Sequence, residues 1–311
     1  MTSNSELFGN VIEYPDSAAQ ERFNALVGID HIKKRLVNEA SVLIDPQVLE
    51  AWSSKHHGSS LNAVRAVKQR AALIVLAGDV GTGKTELAES VGDPIARLLG
   101  LPMLTLYPLS LSARGRGLVG EMTTLITQAF EYVRSSLGAA RDSNGRLRTA
   151  AILLIDEADA IAQSRELSQM HHEDRAGVNA LIRAIDSLRR DQLPVLTVLC
   201  TNRSNALDPA IARRAAHVFT FSRPTTEQRI HVLSTALAGT EVSTNAIEEA
   251  ARLLGPRDEA GWGATYSDLR QRFVPDLVLD AYGNDAPITD RLLRKAAESF
   301  VATRPFGTID G

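Results

Sequence analysis

"GDVGTGKT", residues 78–85, decides how the rest of this 311-residue chain is read. It follows an apolar run, Ala71 to Ala77, and precedes "ELAESVGDPIARLL", whose apolar spacing predicts a helix. Glycines in such a loop let successive backbone N–H groups turn inward around a phosphate chain at a helix N-terminus. Lys84 then reaches the β- and γ-phosphates, and Thr85 offers a hydroxyl to Mg²⁺. The expected nucleotide-binding residues are Gly78, Asp79, Val80, Gly81, Thr82, Gly83, Lys84, Thr85 and Glu86, and the expected cofactors are ATP and Mg²⁺. The competing reading is a glycine-rich turn that ends by chance in Gly-Lys-Thr, and the strand–loop–helix context argues against it.

Downstream, "AILLIDEADAI", residues 151–161, runs from a buried strand straight into acids. Asp156 at the strand end suits a place beside the metal, and Glu157, one residue on, can orient and deprotonate the attacking water. Ala158 and Asp159 then begin a helix, with Asp159 expected as a first-turn carboxylate on the helix dipole. In "VLCTNRSNALDPAIARRAAHVFTF", residues 198–221, Asn202 ends a further strand, where a neutral amide can hold the water or the γ-phosphate without adding charge. A short helix after Asp208 and Pro209 presents Arg213 and Arg214. Guanidinium groups there can stabilise phosphate charge in a neighbouring subunit's site, and the plain alternative is a solvated helix end.

Five short branched-apolar runs recur, at Ala71 to Ala77, Leu101 to Leu106, Ala150 to Ile155, Val195 to Cys200 and His217 to Phe221, with helical spacing between them. Strands alternating with helices predict a parallel five-stranded sheet sandwiched by helices. After "FSRPTTEQR" the pattern changes to helical stretches at Thr226 to Ala238, Thr244 to Leu254, Tyr266 to Tyr282 and Asp290 to Ala302. The expected organisation is a flexible leader over 1–20, a large nucleotide-binding α/β domain over 21–222 and a small all-helical lid over 223–311.

Composition narrows the function classes. A formal charge of −3 and a pI near 6.2 give no global reason to bind nucleic acid, and 44% hydrophobic with 23% charged residues is ordinary for a soluble globular chain. The start lacks a basic stretch followed by an apolar one, and no apolar run approaches a membrane span, so no membrane partner and a cytoplasmic location are expected. The one cysteine, Cys200, sits in a strand run and reads as a buried thiol. "HHED", residues 171–174, reads as a polar loop rather than a metal site, because adjacent histidines on a helix point apart. "SARGRG", residues 112–117, has arginines for phosphates but no aromatic to stack a base.

The order Gly-rich loop, "LLIDEAD", "CTN", "LDPAIARR" and helical lid resembles the AAA+ ATPases over nearly the whole chain. The letters Asp-Glu-Ala-Asp also spell a helicase family, but that family needs two sheet domains of similar size. The AAA+ resemblance implies a strand order 5-1-4-3-2, nucleotide between the large and small domains, and usually a homo-hexameric ring. "NALVGIDHIKKRL", residues 24–36, looks like the family's segment before the sheet, which implies that Val27 and Gly28 lie near the adenine. Within the superfamily, residues 176–224 look most like the pachytene-checkpoint remodellers of HORMA-domain proteins, in the short bacterial form encoded beside HORMA proteins and cyclic-oligonucleotide synthases in anti-phage defence. Residues 1–20 are too few for the adaptor-docking domain of the eukaryotic members.

That likeness implies a HORMA-domain partner, with or without its synthase, which the ring engages, partly unfolds and opens with ATP hydrolysis, so that its complexes come apart. It implies Arg214 as the trans-acting arginine, with Arg213 at a second family arginine. Ser267 stands about where many relatives have the lid's sensor arginine, and Arg270 three residues later is the candidate for that role. "RGRGLVGEMT", residues 114–123, aligns with the pore loop, making Leu118 and Val119 the substrate-gripping residues, with Leu118 in place of the usual aromatic. An AAA+ protein acting on DNA, of the clamp-loader or unwinding type, is the alternative, and a non-hydrolysing nucleotide switch is a third.

Overall fold

The computed structural model describes residues 7–110, 121–159, 172–203, 207–257 and 261–306. Their elements are β1 (Ile12–Tyr14), α1 (Ser17–Ala25), α2 (Asp30–Ile44), α3 (Gln47–His57), α4 (Asn62–Lys68), β2 (Leu73–Gly78), α5 (Lys84–Ser90), α6 (Gly92–Leu99), β3 (Met103–Ser110) and α7 (Glu121–Ser136). There follow β4 (Thr149–Asp156), α8 (His172–Arg190), β5 (Val195–Thr201), α9 (Pro209–Ala212), β6 (His217–Phe221), α10 (Thr226–Ala236), α11 (Thr244–Leu253), a π-helical turn (Asp268–Phe273), α12 (Val274–Gly283) and α13 (Asp290–Ser299).

Among the described residues the sheet has six strands in the order β1-β3-β4-β5-β2-β6. Five of them are the expected runs, in the expected order. The sixth, β1, corrects two expectations at once, the strand count and the all-parallel sheet. It pairs antiparallel with β3, Ile12 opposite Leu106, inside a stretch read as a flexible leader. Its three residues, Ile-Glu-Tyr, are too few to show periodicity, yet Tyr14 is buried, as are Leu7 and Phe8 before it. Phe8 stacks at a tilt on Tyr107 and Tyr132, so the aromatic residues anchor this segment.

Burial explains the central strands. Every residue of β2 and β5 is buried, and β4 is buried from Ala150 to Ile155. A strand covered on both faces reads as a continuous apolar run, and these runs lie in parallel register, Leu106 beside Ile152 and Leu154 beside Val198. At ~1.5–3 kcal/mol for each large apolar side chain taken from water, this layer fixes the strand ends on which the polar residues stand.

The chain divides into two compact units, and the second joins two short earlier segments to the C-terminal stretch. One comprises residues 1–25, 30–77 and 85–220; the other comprises 26–29, 78–84 and 221–311. The second unit has its own core, in which Leu233, Ile247, Ala250, Leu269, Phe273, Leu277 and Leu293 meet. Its helices are capped as their sequences suggest. Thr225 and Gln228 form a reciprocal capping box at α10, and the Ser243 hydroxyl caps α11. The π turn interrupts the helix expected from Tyr266 to Tyr282. Among the described residues, no helix is long and apolar enough to cross a membrane.

Candidate functional site

The loop after β2 turns at Gly78, Gly81 and Gly83, with φ of 156°, 72° and 93°. At Gly81 the space is also limiting, because a Cβ there would lie 2.7 Å from Thr265 Oγ1 and 3.0 Å from Ser267 Cβ. The Ser267 N–H donates to the Gly81 carbonyl at 3.1 Å. The position matched to the lid sensor therefore does touch the loop, but through backbone. Lys84 and Thr82 are buried, and both donate to the Asp79 carbonyl oxygen at 2.7 Å. Val80 is exposed.

Residues 26–29 belong to the same unit as this loop. Gly28 has φ 75°, and its carbonyl accepts from Gln228 Nε2 at 2.9 Å; a Cβ at Gly28 would run into that glutamine side chain. Val27 packs on the helical core. Arg270 is exposed on the π turn, close enough to Tyr266 to act on its titration; burial raises the Tyr266 phenol to about 12, and the Arg270 charge pulls against that rise.

In the other unit, the Thr85 hydroxyl donates to Asp156 Oδ2 at 3.1 Å. A neutral and an anionic oxygen side by side, with no imidazole or thiolate, fit the hard-oxygen chemistry of Mg²⁺, which keeps several waters and takes few protein ligands. Among the described residues there is no cluster of three or more His, Cys, Asp or Glu able to hold a metal alone. Glu157 is exposed at φ 50°; its N–H donates to Asp156 Oδ1 at 2.9 Å, and the next N–H, of Ala158, donates to the Cys200 carbonyl at 2.9 Å. Strand β5 thus holds the turn that presents the acid.

Asp159 has partners that its place in the sequence does not announce. Its carboxylate accepts from Thr201 Oγ1 at 2.7 Å and from the backbone N–H and side-chain Nδ2 of Asn202 at 2.9 and 3.1 Å. Its work is to fix the end of β5, and the amide of Asn202 with it. Local sequence shows the fourth letter of "DEAD" but not its partner 43 residues away.

A cleft of about 440 Å³ beside the end of β4 is lined by Asp16, Arg22, Glu89, Asp156 and Glu157. Burial raises the Glu89 carboxyl, with Glu86 and Asp156 adding to the rise and Arg22 opposing it. Arg22 lies 3.6 Å from Glu86 and 3.8 Å from Glu89. Arg22 and Glu89 were not singled out in the sequence because neither belongs to a motif.

At the far side of β5, the buried Asp208 caps α9 by accepting from the Ala210 N–H at 2.7 Å. Arg213 is exposed at the end of α9. Arg214 is half-buried, 3.5 Å from Asp186 and 3.3 Å from the Ala210 carbonyl. The two therefore differ in freedom, although the sequence sets them side by side. Leu118 and Val119 lie outside the described residues, as do the side chains of "HHED".

With this geometry in place, likeness to known proteins decides the family. The model for the ATPase family associated with various cellular activities (AAA) matches residues 74–223. CD-NTase-associated protein 6 of Escherichia coli (strain MS 115-1) is 50% identical over 281 residues, 90% of each chain. The chain belongs to the AAA ATPases, in the CD-NTase-associated protein 6 group. Among solved structures, a chain of the E. coli MS115-1 HORMA:CdnC:Trip13 complex superimposes with a TM-score of 0.90 at 46% identity, covering 98% of this chain and 99% of that one. Rhizobiales Trip13 follows at 0.73 and 43%, covering 96% and 100%. The family accounts for the sheet order.

Proposed function

We propose that this chain hydrolyses ATP in a homo-hexameric ring that engages a HORMA-domain protein, partly unfolds it and disassembles its complexes, within an anti-phage signalling system that includes a cyclic-oligonucleotide synthase. The observation that carries this reading is its similarity, over almost the full length of both chains, to a chain of the HORMA:CdnC:Trip13 complex. The intact set of acids and amide at the ends of β4 and β5 supports hydrolysis rather than a silent nucleotide switch.

Lys84 and the loop from Gly78 to Thr85 bind the phosphates, Glu86 continues the helix behind them, and Val27 and Gly28 flank the base. Thr85 and Asp156 hold Mg²⁺, which when bound neutralises phosphate charge. Glu157 takes a proton from the attacking water as ATP and water become ADP and phosphate. Asn202 orients that water: with one Nδ2 hydrogen held by Asp159, its carbonyl oxygen and second hydrogen remain for water and phosphate. Arg214, helped by Arg213, reaches the neighbouring subunit's nucleotide after leaving Asp186, and Arg270 serves from the lid. Leu118 and Val119 grip the substrate by apolar contact.

The test is disassembly of a purified HORMA–synthase complex by this protein and ATP, followed by size-exclusion chromatography. Parent protein should separate the complex, and Glu157→Gln should not. Leu118→Ala should hydrolyse ATP but disassemble slowly. A complex that stays intact while ATP is consumed would leave an ATPase with a different substrate.

A further inference from the structure

Asp79 is an anion inside a loop that has to receive a polyphosphate. Its carboxylate is mostly buried and accepts from Arg223 Nε at 2.7 Å, from a second guanidinium nitrogen of Arg223, and from the Phe306 N–H at 3.1 Å. A further nitrogen of Arg223, Nη1, donates to the carbonyls of Gly263 at 2.6 Å and Thr303 at 2.7 Å. Thr303 is itself fixed, since its hydroxyl and N–H donate to Asp268 at 2.6 and 3.0 Å. Burial alone would raise the Asp268 carboxyl, but hydrogen bonds from Thr265, Thr303 and Arg272 hold it below its ordinary value. All these residues lie in one compact unit.

We infer that Arg223 is a positioning residue for nucleotide binding: held by the C-terminal strap at Thr303, it neutralises the Asp79 carboxylate and keeps that charge from opposing the phosphates. The inference rests on the ATP-binding reading of the loop. An arginine that merely stitched the strap down would have no need of a carboxylate partner within a phosphate-binding loop. Here that carboxylate takes two guanidinium nitrogens, while the carbonyl of the same residue receives Lys84. The fork geometry of arginine matters, because it meets the carboxylate and the strap carbonyls at once.

Three variants test this, with ATP and ADP affinities measured by calorimetry and folding followed by thermal melting. Arg223→Ala should weaken ATP binding on the order of tenfold at low salt, ADP less because it carries less charge, and the gap should shrink as salt is added. Adding Asp79→Ala to Arg223→Ala should recover most of the ATP affinity, because the uncompensated charge is gone. Asp79→Asn, which keeps size and removes charge, should tighten ATP binding a few-fold, and it decides the matter if Arg223→Ala fails to fold. The inference is overturned if Arg223→Ala binds ATP as the parent does, if Asp79→Ala gives no recovery, or if Asp79→Asn binds more weakly. A parent that binds neither nucleotide would instead remove the ATP reading itself.

Discussion

The two stretches that carry the proposed chemistry are anchored by opposite means. The turn after β4 stands on strands buried along their length, so Asp156 and Glu157 are placed by apolar packing and adjusted by a few short hydrogen bonds. The loop after β2 leaves an equally buried strand, but its first side chain is fixed by polar contacts with a residue 144 positions later and with the C-terminal strap. Packing makes a site rigid through many small contributions that tolerate the loss of any one. A polar anchor concentrates the same task in two or three groups. Damage at the strand ends should therefore appear in turnover, and damage around the loop should appear in affinity.

The largest expected effect lies on the strand side. Glu157→Gln keeps the shape of the side chain and removes the proton acceptor, so hydrolysis should fall by about 10²–10⁴-fold while calorimetry shows ATP still bound. If affinity collapses together with turnover, the division between the two regions fails. Next comes Asp159→Ala. Leaving the end of β5 without its acceptor costs about 1–3 kcal/mol, so phosphate release should slow roughly ten- to a hundredfold with little change in KM. Asp159→Asn should recover part of the rate, since one carbonyl acceptor remains; an equal loss would mean that charge, not acceptance, is what Asp159 supplies. The smallest effect belongs to the loop. Gly81→Ala puts a Cβ against Thr265 Oγ1 at a φ of 72°, which should lower stability by about 1–2 kcal/mol in thermal melts and weaken ATP binding. Unaltered affinity there would show that the loop tolerates more movement than its polar anchoring implies.

What was legible in the sequence follows the same division. Continuous apolar runs announce buried parallel strands, so five strands could be read directly, whereas their order was legible only through the family resemblance carried by the glycine-rich loop and the motifs after it. Strand β1 could not, because three residues carry no period and its pairing depends on aromatic contacts with Tyr107 and Tyr132 through Phe8. The contacts of Asp159 were not legible because the helix start is a local signal, whereas Thr201 and Asn202 are distant partners. Arg223 was visible only as part of "FSRPTTEQR", where the chain changes character; that it meets Asp79 is a fact of folding. That residues 26–29 and 78–84 group with the C-terminal helices is likewise a fact of folding.

The backbone at Glu157 has a consequence for evolution and for engineering. A residue with a side chain held at φ 50° forgoes about 1 kcal/mol or more that glycine would not. With Glu157 as the proposed base, thermal tolerance and turnover ask for different residues at position 157. Selecting a library of variants for heat resistance alone should enrich glycine or asparagine there and return well-folded, inert protein, so any screen meant to harden this protein has to score product formation from its first round.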